Sequence, residues 1–194
     1  LADVYASQVY AKGVILQITA VFGNCGGGLA LVPAISDFTF VEDNGKLFVN
    51  SPNAVDGNYT EKCDTSSAKF QFEESGNADF TGDADSIYAN IRKLVSILPS
   101  NDEDAAVTDS EDDLNRSVPD ITGCAGDTAI LLSQVADDND FVEVKAGFAK
   151  EMVTGFIRLD GMTIGCVANR NEVIGDDGKV AEKFDGVLTV KGLE

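Results

Sequence analysis

The chain has 194 residues, of which 44% are hydrophobic and 24% charged, so it can build one ordinary domain or two small ones with a real core. No apolar run is long enough to cross a membrane, and membrane insertion is not expected. The net charge of −19 argues against a nucleic-acid partner, because phosphate backbones require clustered lysine and arginine. A solvated acidic surface is its default explanation.

Cysteine and histidine usage limits the chemistry further. The chain has no histidine, and Cys25, Cys63, Cys124 and Cys166 form no CxxC pair, so no metal site is expected. Cys25 and Cys166 lie at apolar or glycine-rich strand ends and are predicted to be buried free thiols. Residues 1–12 lack a basic region followed by an apolar block, so no signal peptide is expected. Together these features predict a cytoplasmic protein.

The first part of the chain is predicted to be an α/β unit. A helix over residues 2–12 precedes an apolar run at residues 14–22, which is typical of a strand buried on both faces. The later predicted elements are strands 38–41 and 47–49 around a turn at 43–45, a short helix from 51–53, and a long helix over 83–98.

A glycine-rich loop at residues 23–28 directly follows the first predicted strand. Residues 29–35 can begin a helix, and a strand, turn and helix in this order leave backbone N–H groups aimed at one point. Such a loop can hold an anion or a developing oxyanion, which matters in a chain without histidine. The alternative is a flexible turn or a tight packing point, which is the commoner use of consecutive glycines.

An acidic segment separates the two parts of the chain. Between Asp102 and Asp113 there are seven acidic residues and no basic one, which indicates an exposed linker. The second part is predicted to contain a helix over 128–136, a strand at 141–144, a hairpin of strands 153–159 and 162–168, a hairpin or loop at 173–180 and a strand at 186–190.

Ordered motifs in both parts resemble one enzyme family. Residues 23–28 read GNCGGG, residues 33–40 PAISDFTF, residues 47–52 LFVNSP and residues 155–170 GFIRLDGMTIGCVANR. Asp113, Arg116 and Pro119 match a further D…R…P pattern. The chain, from residue 1 to about residue 170, is similar to the carboxyltransferase (beta) subunit of biotin-dependent acyl-CoA carboxylases.

The resemblance implies an α/β, crotonase-like fold, a spiral of strand-strand-helix units that is incomplete in this chain. Residues 1–99 would be the later part of the N-terminal carboxyltransferase half, 100–120 the acidic linker and 121–194 the start of the C-terminal half. Three positions depart from the family pattern: Asn24 and Gly26 replace proline and alanine in the glycine loop, and Gln71 stands in the place of a histidine. These departures bear on substrate handling.

The resemblance also implies a reaction, carboxyl transfer between carboxybiotin and an acyl-CoA. The catalytic groups would be the backbone N–H groups of Gly27 and Gly28, which hold the thioester oxygen as it becomes an enolate. Biotin would be carried by a partner, the biotin carboxyl carrier protein, and loaded by a biotin carboxylase subunit. Coenzyme A is polyanionic, and the nearest basic residues along the sequence, none of which is assigned to it, are Lys46, Lys62, Lys69, Arg92 and Lys93.

Two alternatives remain open from the sequence. One is the carboxyltransferase component of a biotin-dependent acyl-CoA decarboxylase, which uses the same loops. The other is a non-catalytic segment that binds acyl-CoA or serves assembly. The intact subunit is expected to be an enzyme and a homo-oligomer, and the 194 residues alone are expected to be inactive and to associate through unpaired sheet edges.

Overall fold

The computed structural model of the chain describes residues 1–52, 54, 63–113, 115–118 and 121–193. It consists of two compact units, Leu1–Asp104 and Ala105–Glu194. The assignment of the two parts to two carboxyltransferase halves joined by a linker stays a prediction. The predicted helix start at 51–53 and the motif position Pro119 lie partly or wholly outside the described residues.

The first unit is built on parallel strands. In chain order its elements are α1 (Ala2–Ala11), β1 (Ile18–Val21), β2 (Asn24–Gly26), one turn of 3₁₀ helix (Gly27–Ala30), α2 (Leu31–Ile35), β3 (Phe38–Glu42), β4 (Lys46–Phe48), α3 (Ala68–Glu73), β5 (Phe80–Gly82) and α4 (Ala84–Ile97). The strands form two parallel sheets, one in the order β1-β3-β5 and one of β2 and β4. Because parallel strands need crossover connections, a helix lies along the chain between the two members of each strand pair.

The core of this unit lies around the middle of β3. Phe40 and Val41 are fully buried there, and Ile87 and Leu94 of α4 are buried to the same degree. The side chain of Asp83 caps the first turn of α4, so the helix predicted over 83–98 is confirmed. Its apolar face covers the sheet that contains β3.

The apolar run at 14–22 forms a shorter and more exposed strand than predicted. Only Ile18–Val21 pair with β3, and of these four residues only Val21 is buried. Phe22, the last residue of the run, is 45% exposed. The difference arises because β1 lies at the edge of its sheet among the described strands, where burial on all sides is not available.

The turn at 43–45 joins two strands that do not pair with each other. β3 pairs with β1 and β5, whereas β4 pairs with β2 in the second sheet. Gly45 donates its N–H to the Glu42 carbonyl, and a Cβ on it would lie 2.8 Å from that same oxygen. The glycine therefore permits a tight crossing from one sheet to the other instead of a hairpin.

The second unit is antiparallel. Its elements are α5 (Thr128–Val135), a 3₁₀ turn (Asp137–Asn139), β6 (Phe141–Val144), β7 (Met152–Leu159), β8 (Met162–Asn169), β9 (Glu172–Ile174), β10 (Val180–Lys183) and α6 (Val190–Leu193). The strands form a sheet in the order β6-β7-β8 and a separate pair of β9 and β10. The helix predicted over 128–136 and the hairpin of 153–159 and 162–168 are confirmed, and residues 173–180, for which a hairpin or a loop was predicted, lie in a hairpin.

Turn chemistry fixes the hairpin of β7 and β8. Asp160 and Gly161 have φ values of 52° and 74°, the left-handed conformation that a two-residue turn of type I′ requires. The carboxylate of Asp137 accepts their N–H groups at 3.0 and 2.7 Å. Burial would raise the pKa of Asp137, but these hydrogen bonds outweigh it and the pKa lies below its ordinary value.

The prediction of a strand at 186–190 is wrong. Thr189 donates its N–H and its hydroxyl to the carboxylate of Glu151, and its hydroxyl oxygen accepts the N–H of Gly192 at 3.2 Å. These bonds start α6 at Val190, because a threonine at a helix N-terminus satisfies backbone N–H groups that a strand would direct to a neighbour. Val187 stays 71% exposed.

The four cysteines are all free thiols. Cys25 is buried as predicted, and burial raises the pKa of its thiol. Cys166 is only half-buried, because it lies on β8 at the edge of its sheet. Within the described ranges, no helix has the length and apolar character that a membrane span needs.

Candidate functional site

The glycine loop lies where β2 ends and the 3₁₀ turn begins. β2 pairs in parallel with β4, and Gly26 lies opposite Phe48 at the end of this pairing. Gly27 follows with a φ of +63°, in the left-handed region that glycine adopts at no steric cost. The predicted order of strand, glycine turn and helix is present, but the strand that enters the turn is β2 rather than the longer apolar run before it.

The three consecutive glycines meet different surroundings. A Cβ on Gly26 would lie 2.5 Å from the ring of Phe48, so this glycine is explained by close packing. A Cβ on Gly28 would lie 3.1 Å from the hydroxyl oxygen of Tyr5. A Cβ on Gly27 would have no heavy atom within 4 Å. Gly27 therefore combines a left-handed backbone with open space beside its Cα, as a backbone that a ligand approaches closely would.

The backbone donors of the loop come from the start of a helix. Gly27 and Gly28 are the first two residues of the 3₁₀ turn, so their N–H groups have no partner within that turn. The carbonyl of Gly28 accepts the N–H of Leu31 and the hydroxyl of Tyr5. Two adjacent N–H groups at a helix start can together bind one oxygen that carries negative charge.

Gln71, in the place of the family histidine, is a structural residue that the sequence analysis did not assign. Its side-chain nitrogen donates to the carbonyls of Leu47 and Thr65 at 3.3 and 2.6 Å. Its side-chain oxygen accepts from Ser75 and Asn77, both at 2.9 Å. The residue is 7% exposed, and its amide thus joins β4 to the start and end of α3.

The basic residues considered for coenzyme A are partly engaged elsewhere. Lys46 forms an ion pair with Asp64, and Lys69 forms one with Glu73 at 3.8 Å. Burial would raise the pKa of Asp64, but hydrogen bonds from Lys46 and Ser66 hold it below its ordinary value. Lys62 lies outside the described residues. Thus two of these lysines already neutralise carboxylates of the first unit.

A buried charge network in the second unit was not predicted. The side chain of Arg170 is 5% exposed, and one of its terminal nitrogens lies 3.3 Å from Glu143 and 3.6 Å from Asp127. Its Nε donates to the carbonyl of Lys150. Asp127 also accepts the N–H of Ile174 at 2.9 Å. One guanidinium therefore joins the end of β8 to β6, to the start of α5 and to the start of β7.

Glu143 is the member of this network whose negative charge is least well compensated. Burial raises the pKa of its carboxyl, Arg170 lowers it, and the neighbouring Asp127 raises it again, so that the pKa lies above its ordinary value. Its Oε1 is buried and accepts no hydrogen bond among the described residues. The charged form of Glu143 is therefore disfavoured in the folded state.

The Glu143→Gln variant is expected to gain stability relative to the unchanged chain as the pH rises. Because its pKa is raised in the folded state, Glu143 stabilises the fold fully at pH values below the ordinary glutamate pKa of about 4.3. This stabilisation is lost as the pH rises through the raised pKa of the folded state. Glutamine has no such loss. Urea unfolding at several pH values checks this, with exposed Glu111 changed to glutamine as the control. Identical pH profiles for both variants would contradict it.

The chain is similar in sequence to one family of known proteins. Residues 1–193 match the carboxyl transferase domain family. The propionyl-CoA carboxylase beta chain of Cereibacter sphaeroides is 35% identical over an alignment of 202 positions that covers 94% of this chain and 39% of the relative. The mitochondrial propionyl-CoA carboxylase beta chain of Sus scrofa is 33% identical over an alignment of 186 positions that covers 89% of this chain and 34% of the relative.

Solved structures agree with these relatives. A transcarboxylase 12S structure, described as a hexamer assembly with hydrolysed methylmalonyl-coenzyme A bound, matches with a TM-score of 0.78 and 29% identity. The match covers 87% of this chain and 35% of that one. The likeness confirms the predicted α/β, crotonase-like fold. The chain spans 39% of the length of the C. sphaeroides relative.

Proposed function

The chain belongs to the carboxyl transferase domain family, and on that premise we propose that the intact subunit transfers a carboxyl group between carboxybiotin and an acyl-CoA. The observation that carries this proposal is the glycine loop, where Gly27 has a left-handed backbone beside open space. Short acyl-CoA substrates are favoured, because the relatives named above are propionyl-CoA carboxylase beta chains.

The part of the chain in this reaction is to stabilise negative charge. The N–H groups of Gly27 and Gly28 would both donate to the thioester oxygen of the acyl-CoA, and these bonds strengthen as that oxygen becomes an enolate. Removal of one such donor typically costs on the order of 10²–10³ in rate. Carboxybiotin, brought by a carrier protein, would supply the carboxyl group and accept the substrate proton.

The same loop would serve a biotin-dependent decarboxylase component, and the direction of the reaction depends on the partner subunits. A biotin carboxyl carrier protein and a biotin carboxylase subunit are the partners proposed for the carboxylase direction. Homo-oligomeric assembly is also proposed, supported by the hexamer described for transcarboxylase 12S. A cytoplasmic location stays a prediction from the sequence.

Calorimetric titration of the chain with acetyl-, propionyl- and malonyl-CoA tests the proposal, with free coenzyme A as the comparison. Binding of the thioesters more tightly than of coenzyme A is expected, since only the thioesters carry the oxygen that the loop would hold. A folded chain that binds none of these molecules would show that residues 1–194 lack the acyl-CoA platform. The segment would then be assigned to assembly.

A further inference from the structure

Helix α1 contacts the glycine loop and α2 through one polar face. Tyr5, Gln8 and Lys12 are spaced three and four residues apart and therefore lie on the same side of the helix. Each of them donates a hydrogen bond to a backbone carbonyl of the segment that begins at the loop. The pairs are Tyr5 with Gly28, Gln8 with Val32 at 3.4 Å, and Lys12 with Ile35 at 3.0 Å.

These polar contacts position α1, because the helix contributes little to the core. None of its ten residues is buried. Val9 is 61% exposed and Tyr10 is 84% exposed. In α2 it reaches the carbonyl of Val32, which also accepts the Ser36 hydroxyl at 2.9 Å, and the carbonyl of Ile35, one of the last carbonyls that a helix leaves without an internal partner. The polar face of α1 therefore supplies donors to the backbone that follows the glycine loop.

Tyr5 is the member of this face that reaches the loop itself. Its hydroxyl donates to the carbonyl of Gly28. The hydroxyl oxygen of Tyr5 also lies 3.1 Å from the position that a Cβ on Gly28 would take. The hydroxyl thus closes one side of Gly28. Because the hydrogen bond holds the peptide plane that follows Gly28, it limits rotation of the residue whose own N–H group is a candidate donor.

We propose that Tyr5 is a positioning residue of the glycine loop, whose hydroxyl holds Gly28 through its carbonyl and thereby limits how the Gly28 N–H group turns relative to an enolate oxygen. The inference rests on the proposed function. Direction matters most for a ligand that carries charge, because a charge-assisted hydrogen bond is about twice as strong as a neutral one. A small misplacement of such donors is therefore felt more by an enolate than by a neutral thioester.

The test compares Tyr5→Phe with Tyr10→Phe, the same change at an exposed position of the same helix. Calorimetry would use free coenzyme A, propionyl-CoA and a nitronate analogue that imitates the charged enolate of propionyl-CoA. We expect Tyr5→Phe to weaken binding of the nitronate about tenfold and to leave the affinity for coenzyme A within twofold. Tyr10→Phe is expected to change neither affinity.

An equal loss for all three ligands would assign Tyr5 to general stability and overturn the inference, as would an unchanged nitronate affinity. If the unchanged chain binds none of the ligands, the proposed function fails. Amide exchange of Gly28, measured without ligand, then decides the role of Tyr5. Faster exchange in Tyr5→Phe than in Tyr10→Phe supports the inference, and equal exchange overturns it.

Discussion

Replacing Gly27 by valine is expected to weaken binding of acyl-CoA thioesters, and to slow any carboxyl transfer through the loop by about 100-fold or more. The φ of +63° at this position is one that a β-branched residue adopts only at a cost of about 1–3 kcal/mol. The backbone will therefore relax to a negative φ and turn its N–H group away from the ligand. Calorimetric titration with propionyl-CoA measures the loss.

Two further variants separate this effect from general strain. Gly178 has a φ of +73°, and a Cβ on it would also meet nothing within 4 Å, so Gly178→Val carries the same backbone strain in the turn of β9 and β10. It is expected to bind propionyl-CoA normally. Gly27→Asn adds a side chain but can keep the left-handed backbone, because asparagine tolerates that region. Binding retained by Gly27→Asn would assign the valine effect to the backbone conformation. Full binding by Gly27→Val would remove the loop from the site.

Elements set by local chemistry were predictable from the sequence. The Asp160-Gly161 turn requires left-handed backbone at both residues, and an aspartate followed by glycine between two apolar segments is a direct signal of that turn. The helix over residues 83–98 was equally clear, because its capping residue, its apolar face and the proline that ends it all lie within the segment or directly beside it. In these cases the information lies within one element.

Elements that depend on residues distant in the sequence were not predictable from it. The segment around Gly45 looks like a hairpin turn, yet β3 and β4 enter different sheets, and only β1, β2 and β5 determine that choice. Thr189 begins a helix because Glu151, 38 residues earlier, accepts its N–H and hydroxyl. Arg170 collects Asp127 and Glu143 from two other elements. Short-range patterns contain none of these pairings.

The candidate site, whose role stays a prediction, has a sequence signal of a different kind. Its chemistry resides in backbone N–H groups, so the only sequence signal is the residue type that permits the backbone conformation. Glycine at position 27 is that signal, and the left-handed φ accounts for it. Gly26 carries the same letter but is explained by its packing against Phe48. The run of glycines alone indicated only the loop; the family resemblance pointed to Gly27 and Gly28 within it, and their role stays a prediction.

The network around Arg170 combines one buried cation with a buried carboxylate and a partly buried one. The side chains of Arg170 and Asp127 are 5% and 3% exposed, and that of Glu143 is 22% exposed. A buried ion pair adds little net stability compared with apolar residues, but loss of one partner leaves uncompensated charge in the interior. Removal of the guanidinium would leave Asp127 and Glu143 facing each other without a counter-charge.

The Arg170→Met variant is therefore expected to lower the free energy of unfolding by about 3–5 kcal/mol. Methionine keeps a long apolar stem in the same space, so lost charge pairing and the lost bond to the Lys150 carbonyl dominate the effect. Urea unfolding followed by circular dichroism measures it. Lys179→Met, which removes an 82% exposed cation paired with Asp177 at 3.3 Å, should change stability by less than about 1 kcal/mol. Adding Glu143→Gln to Arg170→Met should restore part of the lost stability, because one of the two carboxylates left without a counter-charge is then neutral. Equal losses of stability in Arg170→Met and Lys179→Met would contradict a structural role for the network.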